Sequence, residues 1–300
     1  MVSGRHWLKC FLFVMSGLLV MLGLTGCEMH FGVLNPKGII AYEERKLLFD
    51  SLALMLIVVL PVIVMSLAFV YHYQVSHRVK DYKPNWSHNV FLEAVWWGIP
   101  CTIIVILAIL TWKETYALDP YRNITLTREK PLSIDVIALP WKWLFIYPEQ
   151  HIATINYLEI PVGRQVVFNM TADNTPMSAF FIPQLGGQIY VMAGMTTQLH
   201  LLADELGTYE GLNSQFSGEG FSEMHFATNV VNAQTMQAWV EHVKQSATPL
   251  TNAQYQQLLR PSIGDKPLFF TNPPANLLKQ VALVYQNTYG PVHPRGRGQQ

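Results

Sequence analysis

Two stretches of this chain hold no charged side chain, and they limit every fold it can adopt. Ser51 to Tyr71 runs for 21 residues and Ala94 to Trp112 for 19. A helix that crosses a bilayer needs about 20 apolar residues, so each stretch is long enough for one span. Both contain a proline, Pro61 and Pro100. Proline is tolerated in a span where neighbouring helices satisfy the carbonyl it frees. Charged residues make up only 13% of the chain, about half the soluble average of roughly 25%. Lys plus Arg and Asp plus Glu are both 20, so no charge excess points to nucleic acid.

The connection between the spans, His72 to His88, carries Arg78, Lys80 and Lys83 against one acid, Asp81. The positive-inside rule places it in the cytoplasm. Residue 28 and everything after Trp112 then lie outside the inner membrane. Trp96, Trp97 and Trp112 mark the interfaces or pack on partner helices. Glu93 stands at the cytoplasmic start of the second span. A carboxylate at that depth is a functional candidate; the alternative is a side chain snorkelling to the headgroups.

The N-terminus reads as a signal. Arg5 and Lys9 precede an uncharged core, Cys10 to Leu24, too short to span. It ends in Leu24-Thr25-Gly26-Cys27, which resembles a bacterial lipobox. On that reading residues 1–26 are removed and Cys27 is acylated as the mature N-terminus. The other reading is a first transmembrane helix with an incidental cysteine. Residues 27–46 form a short periplasmic connection and 47–112 the helical hairpin. Cys101 inside the second span reads as a small buried apolar side chain. The third cysteine is Cys10, so the C-terminal half has neither disulfide nor thiolate ligand.

Residues 113–231 read as strands. Asp135 to Tyr147 is aromatic and β-rich; Ile152–Ile160, Gln165–Thr171, Ser178–Ile182, Gln188–Met192 and Thr196–Leu202 follow. Gly, Pro and Asn/Asp clusters separate them. Many short strands at regular spacing indicate a sandwich or small barrel. Residues 232–289 turn helical: Ala233–Ser246 places Met236, Trp239, Val240 and Val243 at helical spacing. Thr251–Leu259 and Asn276–Tyr289 are two shorter helices. Residues 290–300 form a Pro/Gly/Arg-rich tail expected to be mobile.

Gly207 to Met224 reads as a Gly-rich loop. No Lys follows it in a phosphate-binding pattern, and no nucleophile–base pair or zinc spacing occurs elsewhere. The loop looks like the copper loop of cytochrome c oxidase subunit II, G-x-C-S-E-x-C-G-x-x-H-x-x-M. Gly211, Ser214, Gly218 and Met224 match it. The cysteine positions hold Asn213 and Ser217, the glutamate position Gln215 and the histidine position Phe221. The family's earlier histidine, in H-S-[FW]-x-x-P, is replaced by Ser178 in Ser178-Ala-Phe-Phe-Ile-Pro183. A binuclear copper centre needs bridging thiolates and imidazoles; hydroxyls, amides and a lone thioether do not substitute. Met224 reads as core packing, and His200 and His225 as ordinary polar residues with no partner at ligand spacing. Trp141-Lys-Trp143 reads as packing aromatics. Residues 113–294 hold 14 acids and 10 bases, with no dense acidic patch to steer a basic cytochrome.

The ordered set resembles subunit II of the haem–copper terminal oxidases, in its quinol-oxidising branch, the cytochrome bo-type ubiquinol oxidases. The lipobox, Trp141-Lys-Trp143-Leu-Phe-Ile-Tyr147-Pro-Glu-Gln, Phe180-Phe-Ile-Pro183-Gln-Leu-Gly and Gln188-Ile-Tyr190-Val-Met-Ala-Gly194-Met carry the resemblance. It implies a membrane-anchored α+β chain: a two-helix hairpin, a cupredoxin-like antiparallel β-sandwich and a C-terminal helical extension. It implies a complex that oxidises ubiquinol, reduces dioxygen to water and pumps protons. Haems, copper and the quinol site would belong to subunit I. This chain would hold no metal or catalytic residue, would dock on subunit I and would take nothing from cytochrome c. Glu93 would lie at the mouth of a proton channel. Two readings compete: an electron-entry subunit with an atypical copper site, and a stand-alone periplasmic binding lipoprotein. The first needs ligands that the sequence lacks. The Pro-containing, Trp-bearing spans favour partner helices over the second.

Overall fold

In the computed structural model the described residues are 32–73, 88–124 and 129–289. The signal with Cys27, the basic connection with Arg78, Lys80 and Lys83, and the tail 290–300 lie outside them. Two long helices come first, α1 (Ile39–His72) and α2 (Val90–Ala117). Both outrun the uncharged stretches, and both are long and apolar enough to cross a membrane. Residues 39–46, expected as connection, are thus the first two turns of α1. The Asn89 side chain accepts from the Leu92 amide at 3.1 Å and caps α2.

The strands are β1 (Leu132–Leu139), β2 (Lys142–Tyr147), β3 (Ile152–Ile155), β4 (Tyr157–Pro161), β5 (Val166–Ala172), β6 (Ser178–Ile182), β7 (Gly186–Val191), β8 (Thr197–Leu201), β9 (Gly207–Asn213) and β10 (His225–Val231). After them come α3 (Ala233–Ser246), β11 (Thr248–Pro249), α4 (Asn252–Leu258), β12 (Leu268–Thr271) and α5 (Leu277–Tyr289). A seven-stranded sheet, β11-β12-β3-β2-β1-β5-β8, faces a five-stranded one, β4-β10-β9-β6-β7. The expected sandwich is there, and three of its pairings are parallel: β1 with β5, β10 with β4 and β11 with β12.

The run expected as one strand, Ile152–Ile160, is two. Asn156 sits at φ 53° and turns the chain out of one sheet into the other, a backbone region asparagine enters readily. Its Oδ1 accepts from the Trp143 amide at 2.8 Å. Gly207–Asn213, expected as loop, is the central strand of the five-stranded sheet, and Phe226 explains its glycine. A Cβ on Gly211 would come within 2.0 Å of the Phe226 ring.

One core fills the sandwich, with Trp143, Phe145, Phe168, Phe180 and Phe226 at its centre. A second lies on the outer face of the seven-stranded sheet. Ile137, Leu139, Leu144, Ile146 and Ile155 meet Leu250, Tyr255, Leu277 and Val281 of the C-terminal extension there. Strand β2 is therefore buried on both faces, which is why it reads as an unbroken apolar run. Covering those five sheet side chains is worth on the order of 10 kcal/mol, as much as a whole domain's net stability of about 5–15 kcal/mol. The extension is part of the domain, and it adds strands β11 and β12 to the helices expected of it.

Two polar clamps hold the extension. Lys142, 3% exposed, places its Nζ 2.9 Å from Asp265 and donates to Ser262 and the Arg260 carbonyl. Asp173 accepts from the Tyr255 hydroxyl at 2.5 Å and the Tyr285 hydroxyl at 2.9 Å.

Candidate functional site

Strand β6 has two differently built ends, and the residues singled out by the copper-loop resemblance gather at one of them. Ser178 opens β6, Asn213 closes β9, and Ser217 and Met224 belong to the segment that returns to β10. All four are buried. Asn213 is the centre. Its Oδ1 accepts from the amides of Ala179 at 2.8 Å and Gln215 at 3.1 Å. Its Nδ2 donates to Ser217 Oγ at 3.2 Å and Met224 Sδ at 3.3 Å. A primary amide offers two donors and two lone pairs, and all are engaged. Backbone bonds from Asn213 to Met224 and from Ser214 to Ala179 close the ring.

Trp141 seals this end. It occupies the turn of the β1–β2 hairpin at φ 58°, and its indole donates to the Ser217 carbonyl at 3.0 Å. A Cβ on Gly220 would stand 2.5 Å from that indole, so only glycine lets the ring lie flat there. Ser178 donates to the Pro176 carbonyl at 3.3 Å. Phe221 is half-buried and tilts against exposed Phe216, ring centres 5.6 Å apart.

These residues do not fit a binuclear copper centre. The position of a bridging thiolate holds an amide with no free lone pair, the second holds a hydroxyl, and the imidazole position holds a phenyl ring. Copper prefers soft thiolate, thioether and imidazole donors, and only Met224 Sδ qualifies. It already accepts from Asn213. Among the described residues, no group of three or more His, Cys, Asp and Glu is placed to hold a metal ion. His225 pairs instead with Glu210, Nδ1 to Oε1 3.0 Å.

The other end of β6 joins the domain to the membrane helices. Lys37 donates its amide to the Gln184 carbonyl at 2.7 Å, Ala41 its amide to Leu185 at 3.3 Å, and Asp204 its amide back to Lys37 at 2.9 Å. The Gly187 amide donates to Glu44 Oε1 at 3.0 Å. Gly186, at φ 89°, lies so close that an added Cβ would be 2.6 Å from the Ala41 nitrogen. His200 receives the chain leaving α2: its amide donates to the Pro120 carbonyl and its Nδ1 lies 2.9 Å from the Arg122 carbonyl. Burial lowers its pKa, outweighing the Arg122 carbonyl and the Asp119 carboxylate, which raise it. Sequence reasoning passed over Glu44, Gly186 and His200 as site residues. The Leu185-Gly186-Gly187 cluster was the one signal of this end.

Glu93 lies in the first turn of α2, with Oε1 2.6 Å from His88 Nδ1. It is far from both ends of β6 along the chain, and the structure does not bring it together with them.

No family model matches the chain. Curated relatives do. Cytochrome bo(3) ubiquinol oxidase subunit 2 of Pseudomonas aeruginosa is 45% identical over 264 residues, 88% of this chain and 78% of the relative. Ubiquinol oxidase subunit 2 of Acetobacter aceti is 43% identical over 91% of this chain and 88% of its own length. Quinol oxidase subunit 2 of Bacillus spizizenii is 38% identical over 86% and 80%. Among solved structures, the periplasmic domain of cytochrome oxidase subunit II of Bradyrhizobium japonicum overlays with a TM-score of 0.37 at 22% identity, covering 40% of this chain and 98% of that one. At that level the likeness adds nothing to the fold already described.

Proposed function

The chain belongs to the quinol oxidase subunit 2 family and is a subunit of a quinol-oxidising haem–copper oxidase; from that premise we propose that it carries no redox centre of its own. The observation behind this is Asn213. Its amide engages four partners where a copper site would need a thiolate, so the pocket is already cross-linked without metal. Electrons from ubiquinol then reach the haems and copper of subunit I directly within the membrane, and neither cytochrome c nor this domain is on their route. The chain serves as anchor and cap. Its two spans dock on subunit I, its β-domain lies in the periplasm, and an acylated Cys27 adds a lipid anchor. Metal analysis of the purified complex is the test. Copper should match subunit I alone; two further coppers that follow this chain, or oxidation of cytochrome c by the complex, would overturn the reading.

Glu93 serves in this reading as a proton-channel entrance group, held by His88 at the cytoplasmic end of α2. Glu93→Ala should slow proton-coupled turnover at normal haem content. Unchanged turnover would leave it an interfacial side chain. Mass spectrometry of the mature N-terminus decides the acylation of Cys27.

A further inference from the structure

Between α1 and α2, where both uncharged stretches begin on the domain side, lies a crevice of about 380 Å³. Its floor is apolar: Leu47 from α1, Ile106 and Leu110 from α2. Its upper wall is charged on both sides, with Glu43, Lys46 and Asp50 on α1 facing Lys113 and Glu114 on α2. The α1 residues share one stripe of the helix by their spacing of three and four. Glu43 to Asp50 rises about 10 Å at about 1.5 Å per residue. The headgroup layer of one leaflet is about 5–8 Å deep. Glu43, Lys46, Lys113 and Glu114 thus fall at headgroup depth, Asp50 stands about 4.5 Å deeper than Leu47 at the lower edge of that layer, and Ile106 and Leu110 lie at acyl depth. Exposed Trp112 and Tyr116, ring centres 5.5 Å apart, mark the same level.

The charges are not spent on one another. Glu43 and Lys46 approach to 3.8 Å, but Asp50, Lys113 and Glu114 are in no ion pair among the described residues. We propose that this crevice is a specific site for one phospholipid of the outer leaflet with a primary-amine headgroup, phosphatidylethanolamine. Lys113 and Lys46 receive its phosphodiester, Asp50 and Glu114 its ammonium, and Leu47, Ile106 and Leu110 one acyl chain. The wall holds three carboxylates against two ammonium groups, so an anionic headgroup would add charge of the sign already in excess. A choline headgroup cannot donate the hydrogen bonds that a primary ammonium gives to carboxylates.

The inference goes beyond the subunit assignment, and haem content of the same preparation reports on that assignment separately. The complex is stripped of bulk lipid in detergent and supplied with phosphatidylethanolamine, phosphatidylcholine or phosphatidylglycerol, and native mass spectrometry counts the retained lipids. The wild type should retain one more phosphatidylethanolamine than Asp50→Asn, Lys113→Gln or Leu47→Phe. It should hold phosphatidylcholine at least tenfold more weakly. Haem content and turnover should be unchanged in the variants. A benzophenone amino acid in place of Ile109, which lines the crevice, should cross-link to lipid. Equal lipid counts in wild type and all three variants would overturn the proposal. So would preferential retention of phosphatidylglycerol, or a cross-link to another subunit, which would put a protein helix in the crevice.

Discussion

The two ends of β6 solve opposite problems. At the Ser178 end, every group of Asn213 turns inward and Trp141 covers the ring. At the Ile182 end, backbone groups turn outward to another element: Gln184, Leu185 and Gly187 all bond to the first turns of α1 or the residues before it. Glycine serves both, for different neighbours. Gly220 admits an indole and Gly186 admits a helix backbone. One end is built to be finished by itself, the other to be finished by the membrane anchor. At the Ser178 end a buried amide supplies the cross-links of the Gly-rich segment.

The sharpest way to break this contrast is at the attachment end. Gly186→Val adds a Cβ within 2.6 Å of the Ala41 nitrogen at φ 89°, where a β-branched residue is strained. Crowding and strain together should cost about 3–5 kcal/mol. Hydrogen exchange in the complex should show residues 37–44 losing protection while the Ser178 end keeps its own. Equal loosening at both ends would show that they are not independent.

At the closed end, Asn213→Ala strands the amides of Ala179 and Gln215 and should destabilise the domain by about 2–3 kcal/mol. A lower melting temperature for the complex, with α1 still protected, is the expected pattern. No change would mean that water replaces the amide and the ring is not a cross-link. Glu44→Ala removes one bond from a carboxylate to Gly187, half-buried at the junction. It should cost about 1–2 kcal/mol, and exchange at the Gly187 amide measures it directly.

The smallest effect is one of pH. His200 has a folded-state pKa below its ordinary 6.5, so the unfolded chain binds its proton first. Its contribution is complete above about pH 6.5 and fades as pH falls through the lower folded value. Mild acid should thus raise exchange around Pro120 and Arg122 before it touches Asn213. His200→Gln should abolish that step; a step that survives belongs to another group.

The spans were legible because absence of charge over about 20 residues has few other causes. Helix α3 was legible from Met236, Val240 and Val243, which are indeed its buried face. The structure gathers Ser178, Asn213, Ser217 and Met224 at one end of the sandwich. What holds them together was not legible, because an asparagine in a Gly/Ser-rich segment looks like any turn residue. The same blindness turned β9 into loop. Asn156 hid inside a continuous β pattern, since a single left-handed residue leaves alternation intact. Lys142 sits between two tryptophans read as packing aromatics, and its partner Asp265 is more than a hundred residues away, which no local pattern announces.

The second core has a consequence for the order of events in folding. Strand β2 needs cover on both faces, and half of that cover arrives with α4 and α5 at the far end of the chain. A chain that has formed only the sandwich leaves Leu144 and Ile146 bare toward water. It stays unfinished until Leu277–Tyr289 has followed. Helices α4 and α5 thus complete the domain, and a chain cut short after β10 would present an open sheet.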